Sequence, residues 1–448
     1  MYREMRRKNQ KLSNCFREFV RYVSMNVFGM LGLSCYILAD TYFVSKGLGA
    51  DGLTALNLAI PIYSFIHGSG LMIGMGGGTK YSIQKSTGNL KETNELFTNA
   101  IMIAAILAMA YLCIGIFFVD GLVTLLGADK AVYEMTRTYL KMILLFSPLF
   151  LMNNVLLCFT RNDGAPQLSM RAMLGGSLSN IVLDYLFIFP CQMGIFGAVF
   201  ATCLAPAISI FLLLPHFMKK NHQFHLIKCR PKKKWISAIL SSGVPSLVTE
   251  VSSGIVMIVF NVMILKLAGN TGVAAYGIIA NLFLVVIATY NGIAQGIQPM
   301  IGSYFGEGAY DNVHVVIQYA MITMLLLSIL IYAAVFFYAP QISAIFNKEQ
   351  NQTLQHIAVN GLKLYFTACP FVGFNIIIST YFTSTACPLP ANIISVLRGF
   401  IVILPLALLF SMVWKLTGIW CVFPCTEFIV SLYGILFLSK KNRSFKPI

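Results

Sequence analysis

The sequence predicts an all-α membrane protein, with twelve transmembrane helices arranged as two pseudo-symmetric six-helix lobes. Three observations carry that prediction. The chain of 448 residues is 57% apolar and only 11% charged, so it lacks the charged exterior that a soluble core of this size needs. Long apolar stretches fill nearly all of it. Its two halves repeat one another, in order, at a nearly constant offset.

In the first half the spans fall at residues 18–45, 53–83, 96–119, 132–160, 168–190 and 194–218. In the second they fall at 238–267, 274–302, 315–339, 355–385, 390–413 and 418–438. Several exceed the ~20 residues needed to cross a bilayer, which implies tilt, kinks or extension beyond it. The segment 219–237 is the one long, polar, basic connection. It divides an N-lobe (1–218) from a C-lobe (238–448).

The repeat is visible residue by residue. Ala55, Gly76 and Gly88 recur 220 residues on as Ala275, Gly296 and Gly308. Pro148, Asn153 and Pro166 recur 222 on as Pro370, Asn375 and Pro388, and Gly194, Ile195 and Thr202 recur 224 on as Gly418, Ile419 and Thr426. Small changes of offset are what drift in loop length produces. Six spans per half bring both halves in from the same side, so the lobes are related by an axis along the membrane normal, with a path between them.

Basic residues set the orientation. The N-terminal arm holds Arg3, Arg6, Arg7, Lys8, Lys11, Arg17 and Arg21, and the central linker holds Lys219, Lys220, Lys228, Arg230, Lys232, Lys233 and Lys234. Even-numbered connections and termini together carry 23 Lys and Arg, against 5 in the odd-numbered connections. By the positive-inside rule, both termini are cytoplasmic. The net charge of +16 is thereby assigned to topology and anionic lipid, and nucleic acid is excluded as a partner. The first apolar segment is too long for a cleaved signal peptide and reads as a retained span.

Several motifs lead nowhere. Gly47-Leu-Gly49-Ala-Asp-Gly52 fits G-x-G-x-x-G but follows a span with no βαβ unit, so it is a turn. Gly74-Met-Gly-Gly-Gly-Thr79-Lys80-Tyr81 approaches a phosphate-binding loop, but Thr79 replaces its second glycine and Tyr81 its Ser/Thr. Those glycines suit close helix packing. The eleven cysteines are scattered without a C-x-x-C pair, which argues against zinc or a disulfide framework. No cofactor is expected.

Four acids inside the spans hold the functional signal: Asp40, Asp184, Glu250 and Glu427. A carboxylate at a helix centre costs about 2.5–3.5 kcal/mol on insertion scales, so each is a functional candidate by default. Counted from the span ends, Asp40, Asp184 and Thr202 all lie roughly 9–12 Å below the outer surface. Asn180 and Asp184 share a helix face, as do Tyr36 and Asp40. This all-oxygen cluster suits Na⁺, with Asp40, Asn180, Asp184 and Thr202 as its ligands, or a pair of acids that share a proton. The second-half counterparts of Asp40 and Asp184 are Asn261 and Leu404, so cation coupling is expected in the N-lobe alone.

Tyr36–Val44, Arg161–Pro166, Gln295–Gly306 and Leu397–Pro405, in order over a six-plus-six chain, resemble the multidrug and toxic compound extrusion family in its bacterial multidrug-export branch. The resemblance covers essentially the whole chain. It implies a two-lobed antiporter that exports cationic, often aromatic compounds in exchange for Na⁺ or H⁺, with Asp40, Asn180, Asp184, Thr202 and Tyr36 matching the family's N-lobe cation site. Two departures stand out. Span ten lacks the acid that some members pair with a span-seven Glu, and Glu250 falls about one turn early. Met25 stands where relatives carry a span-one proline, leaving Gly29 and Gly32 to loosen that helix.

Other polar residues have two readings each. Glu250 is a contact for the substrate cation or a buried structural group. Asn153, Asn154, Asn375 and His67 line the cavity or bond neighbouring helices. Glu427 is expected to form a structural ion pair with Arg398. The expected function is secondary antiport of organic cations by alternating access, in a monomer in the bacterial cytoplasmic membrane. The alternatives are a lipid-linked saccharide flippase of the same superfamily and an integral-membrane enzyme. The first would want cationic rather than acidic cavity residues, and the second a metal-spaced cluster that the sequence lacks.

Overall fold

The computed structural model describes the backbone of residues 2–218, 222–347 and 350–444 and the side chains of 14–218, 222–347 and 350–440. Lys219, Lys220 and Lys348, and the side chains of Arg3, Arg6, Arg7, Lys8 and Lys11, lie outside the described residues. Among those described, the secondary structure is helical throughout.

Three helical runs each carry parts of two consecutive spans. Tyr2–Ser86 breaks at Gly49 (φ 69°, ψ −157°), Lys233–Gly306 at Gly269 (φ 60°, ψ −160°) and Ile403–Ser444 at Lys415 (φ 51°, ψ −129°). At Gly49 and Gly269 the backbone enters a region that only glycine occupies without strain, which lets the chain reverse there without a loop. Tyr133–Leu145 and Ser147–Asn162 bend by 48° at Pro148 and form one crossing. With each broken run counted as two, the described helices make twelve crossings.

The repeat is written in the backbone as well. Gly49 and Gly269 break equivalent helices, and Gly88 (φ 77°) and Gly308 (φ 73°) end them. Pro148 starts the second segment of span four, and Pro370 does so in span ten after the 3₁₀ turn Phe366–Ala368. Span eleven has no such twin: a π turn, Leu397–Ile401, interrupts it, whereas Pro166–Ile188 of span five is continuous α-helix. The short helix Val119–Leu125 after span three was not expected, because it falls within the predicted end of an apolar run.

The halves close on the side that bears the linker. A Cβ on Gly243 of span seven would fall on the Met72 carbonyl of span two, and Gly296 of span eight lies against Val23 of span one at 2.7 Å from an ideal Cβ. Small residues here let backbones touch. Cys15, Phe19 and Val23 of span one accordingly belong to the second half's apolar core. Arg161 ties the seam together. It is 1% exposed, and its guanidinium donates to Gln295 (2.6 Å) and Gln298 (3.4 Å) of span eight and to Asn26 (3.1 Å) of span one.

The linker is held to the first half rather than hanging free. Backbone N–H groups of His225, Ile227 and Lys232 donate to Asn94, Thr98 and Asn99. Asp163, in the turn between spans four and five, accepts from Tyr81 (2.6 Å), Lys85 (2.8 Å) and the Gln223 N–H (3.2 Å), with His216 at 3.0 Å. Burial would push its carboxyl up, but the bonds from His216, Lys85 and Tyr81 outweigh that and hold it below the usual range.

Candidate functional site

Span five supplies two of the site's groups from one face. Asn180 and Asp184, one turn apart, are both fully buried. With its amide oriented to satisfy both partners, Asn180 donates to Asp184 Oδ2 (3.0 Å) and accepts from the Thr202 N–H (3.2 Å). Thr202 is brought there by span six, Gly194–Met218, and its hydroxyl donates to the Ala198 carbonyl (3.2 Å). Pro206 lies four residues further along the same helix. Pro206 has no N–H, so the Thr202 carbonyl lacks its usual helical donor four residues on.

Asp40, on span one, is 7% exposed and close enough for its charge to act on Asp184. Asp40 Oδ1 and Asp184 Oδ1 are both buried without a hydrogen-bond partner. Two carboxylates with vacant lone pairs, paired with no guanidinium or ammonium among the described residues, fit a proton or a small monovalent cation. Tyr139 completes the cluster. It is 4% exposed and sits beside Thr202, in the field of both acids. The sequence reading missed Tyr139; the available signal was its place one turn from Thr136 and Ile143 on the buried face of an amphipathic helix. Tyr36 takes a different partner: its hydroxyl shares a hydrogen bond with Tyr63 (3.1 Å).

A second group faces the first across the seam. Glu250 of span seven packs on Gly68 of span two, its Cβ 3.1 Å from an ideal Cβ there. Its charge reaches Tyr63 and His67, while Tyr63 also feels Asp40. The His67 ring stacks on Tyr63 (5.6 Å, 11°), and its Nδ1 lies 3.2 Å from Asn154 Nδ2. Glu250, Tyr63 and His67 are half-buried, whereas Asn154 is 6% exposed and committed to His67. The partly buried Asn153 has an oxygen without a partner.

Asn375 belongs elsewhere. Among the predicted cavity residues it is wholly buried, donating to the Glu427 carboxylate (2.7 Å) and carbonyl (2.9 Å). Interhelical bonding, the other of its two readings, is what its amide group does. Arg398 donates to Glu427 Oε1 from Nε (3.0 Å) and Nη2 (2.8 Å).

Comparison with known proteins places this geometry in a family. The MatE family model matches residues 26–186 and 245–409, one block in each half. The chain belongs to the MatE family. MatE proteins are transporters, and this chain is a multi-pass membrane transporter rather than an enzyme. It is 25% identical over 428 residues to the multidrug export protein MepA of Staphylococcus saprophyticus, covering 95% of this chain and 93% of that one. To MepA of Staphylococcus aureus it is 24% identical over 411 residues, with 91% and 90% covered. Among solved structures it is similar to an outward-facing multidrug resistance MATE transporter of the MOP superfamily (TM-score 0.88, 22% identity, 95% and 96% covered). It is equally similar to a Pyrococcus furiosus MOP superfamily transporter described as having a binding pocket of reverse polarity and a different function (TM-score 0.89, 23% identity, 96% of each chain).

Proposed function

We propose that this MatE transporter is a secondary antiporter that exports amphipathic organic cations in exchange for H⁺ or Na⁺. The observation that carries the proposal is the pair Asp40 and Asp184, buried together with an unpartnered oxygen on each. Two bare carboxylates in hydrocarbon are costly, so the pair holds a proton or a cation whenever it is closed off from water. Asn180, Thr202 and Tyr139 supply further oxygen ligands or hydrogen bonds, and Tyr36 borders the site. Cargo and coupling ion then favour different arrangements of the two lobes, which is what coupled exchange requires.

Glu250 is the group best placed to meet a cationic cargo, since it is half-buried beside Tyr63 and His67, whose rings offer flat apolar surface. The flippase reading needs cationic groups free to meet a pyrophosphate. The two arginines buried between helices, Arg161 and Arg398, are instead engaged by glutamines, Asn26 and Glu427. By the positive-inside rule the linker side is cytoplasmic, in the inner membrane of a bacterium, and the transporter acts as a monomer surrounded by lipid.

Inverted vesicles, given a pH gradient and a Na⁺ gradient separately, test the reading. Uptake of an ethidium-like dye should follow one of the two gradients and stop with the matching ionophore. Uptake that survives collapse of both gradients would refute it.

A further inference from the structure

The second half holds a buried polar cluster that parallels the proposed cation site of the first. In the first half, spans five and six bring together Asp184, Asn180 and Thr202; in the second, spans ten and twelve bring Asn375 onto the buried Glu427. Thr426 precedes Glu427 on span twelve. Thr426 and Thr202 are equivalent in the repeat, and the hydroxyl of Thr426 is buried with no partner, as is Asn375 Oδ1. Glu427 is 1% exposed. A carboxylate so placed needs a positive charge, and it has one within the chain: Arg398, whose side chain is 11% exposed.

The backbone is remodelled to deliver that arginine. Arg398 lies in the π turn Leu397–Ile401, whereas the corresponding part of span five is regular helix. Gly175 and Gly176 stand 222 residues before Leu397 and Arg398, with no side chain to reach a neighbour. The repeat offset also grows from 222 at Pro388 to 224 at Gly418, across the same stretch. A π turn accommodates an inserted residue and swings the following side chains around the helix. Here the insertion coincides with a guanidinium aimed at Glu427 Oε1 from two nitrogens.

We propose that the Glu427–Asn375 cluster is a second monovalent-cation site, in which the guanidinium of Arg398 serves as a permanently tethered cation. The second lobe is thereby fixed in its cation-loaded form and takes no part in ion exchange. Removing the tether converts the cluster into a site for a free planar cation of the guanidinium class. The proposal rests on the reading of the first lobe as a cation site, whichever ion it carries and whatever the cargo.

Arg398→Ala protein, purified in detergent, is titrated with millimolar guanidinium and methylguanidinium chloride, and its thermal unfolding is recorded against matched sodium chloride. We expect a saturable rise in unfolding temperature in Arg398→Ala that wild type and the Arg398→Ala/Glu427→Gln double variant both lack. An Arg398→Ala protein that responds no more than wild type overturns the proposal. If Arg398→Ala fails to accumulate, accumulation of the double variant supports it, because the vacated carboxylate is then what needs a cation. Failure of both variants assigns the pair to packing and overturns it.

Discussion

The two lobes share one plan but differ in how they balance buried charge. The first gathers Asp40 and Asp184 around Asn180 and Thr202, and each acid retains an oxygen with no partner. The second buries Glu427, neutralised by Arg398 and hydrogen-bonded by Asn375. A buried charge that lacks a protein partner must borrow one from solution, while a paired charge has no such need. On the reading proposed above, the same fold yields one lobe that exchanges ions and one that serves as a fixed partner.

The strongest way to break this comparison is to take the charge from the first lobe. Asp40→Asn keeps size and matches Asn261 at the equivalent place in the second half. It should leave membrane abundance intact and reduce dye export to the level of cells lacking the protein. Undiminished export at equal expression would remove Asp40 from the mechanism.

Next in size is the separation of ion from cargo. Glu250→Gln should weaken dye binding while preserving its response to ions, because Glu250 lies across the seam from the Asp40 cluster. Loss of the ion response with unchanged dye affinity would reverse the assignment.

The closed seam sharpens the comparison from the other direction. Gly243→Ala puts a methyl onto the Met72 carbonyl. Overpacking of that kind costs about 1–3 kcal/mol, so the variant should shift away from the linker-side-closed arrangement by about 5- to 150-fold. Distances between spin labels on the linker-side ends of spans two and seven would show a second, longer population. A distribution identical to wild type would mean that the glycine contact does not set the closure.

The smallest expected effect lies outside the membrane. Asp163 is held below the usual carboxyl range by its bonds to His216, Lys85 and Tyr81, against the opposing effect of burial. A depressed folded value stabilises above the ordinary Asp pKa of about 3.9 and is lost as pH falls through the lower folded value. Asp163→Asn should therefore unfold at a lower temperature than wild type at neutral pH, with the gap narrowing below about pH 4. A gap that is constant with pH would contradict the linkage.

Much of this was legible in the sequence, and for identifiable reasons. Span positions follow from apolar length, and the duplication from glycines and prolines that recur because the backbone needs them at Gly49 and Gly269, or Pro148 and Pro370. Asn180 and Asp184 share a face by helical spacing alone. What was hidden depended on tertiary neighbours. Tyr139 is one of twenty tyrosines, and its place on the buried face of an amphipathic helix marks it as inward-facing without tying it to Thr202. Arg161 stood in a recognisable motif, but its glutamine partners lie more than a hundred residues away. The π turn at Arg398 left only a two-residue change of offset, which loop drift could equally have produced. Asn375 sits at the repeat position of Asn153, yet it turns to Glu427, a residue with no counterpart acid in the first half.

The central claim, that ion coupling resides in the first lobe, is tested most directly by equilibrium dye binding to purified wild type and Asp184→Asn across pH and Na⁺. Wild type should show dye affinity shifting with one of the two ions, by about 5–150-fold as coupling free energies allow. Asp184→Asn should still bind dye but with an affinity that neither ion changes. If Asp184→Asn retains the full ion response, the site of coupling lies elsewhere, and Glu250 becomes the leading residue for it.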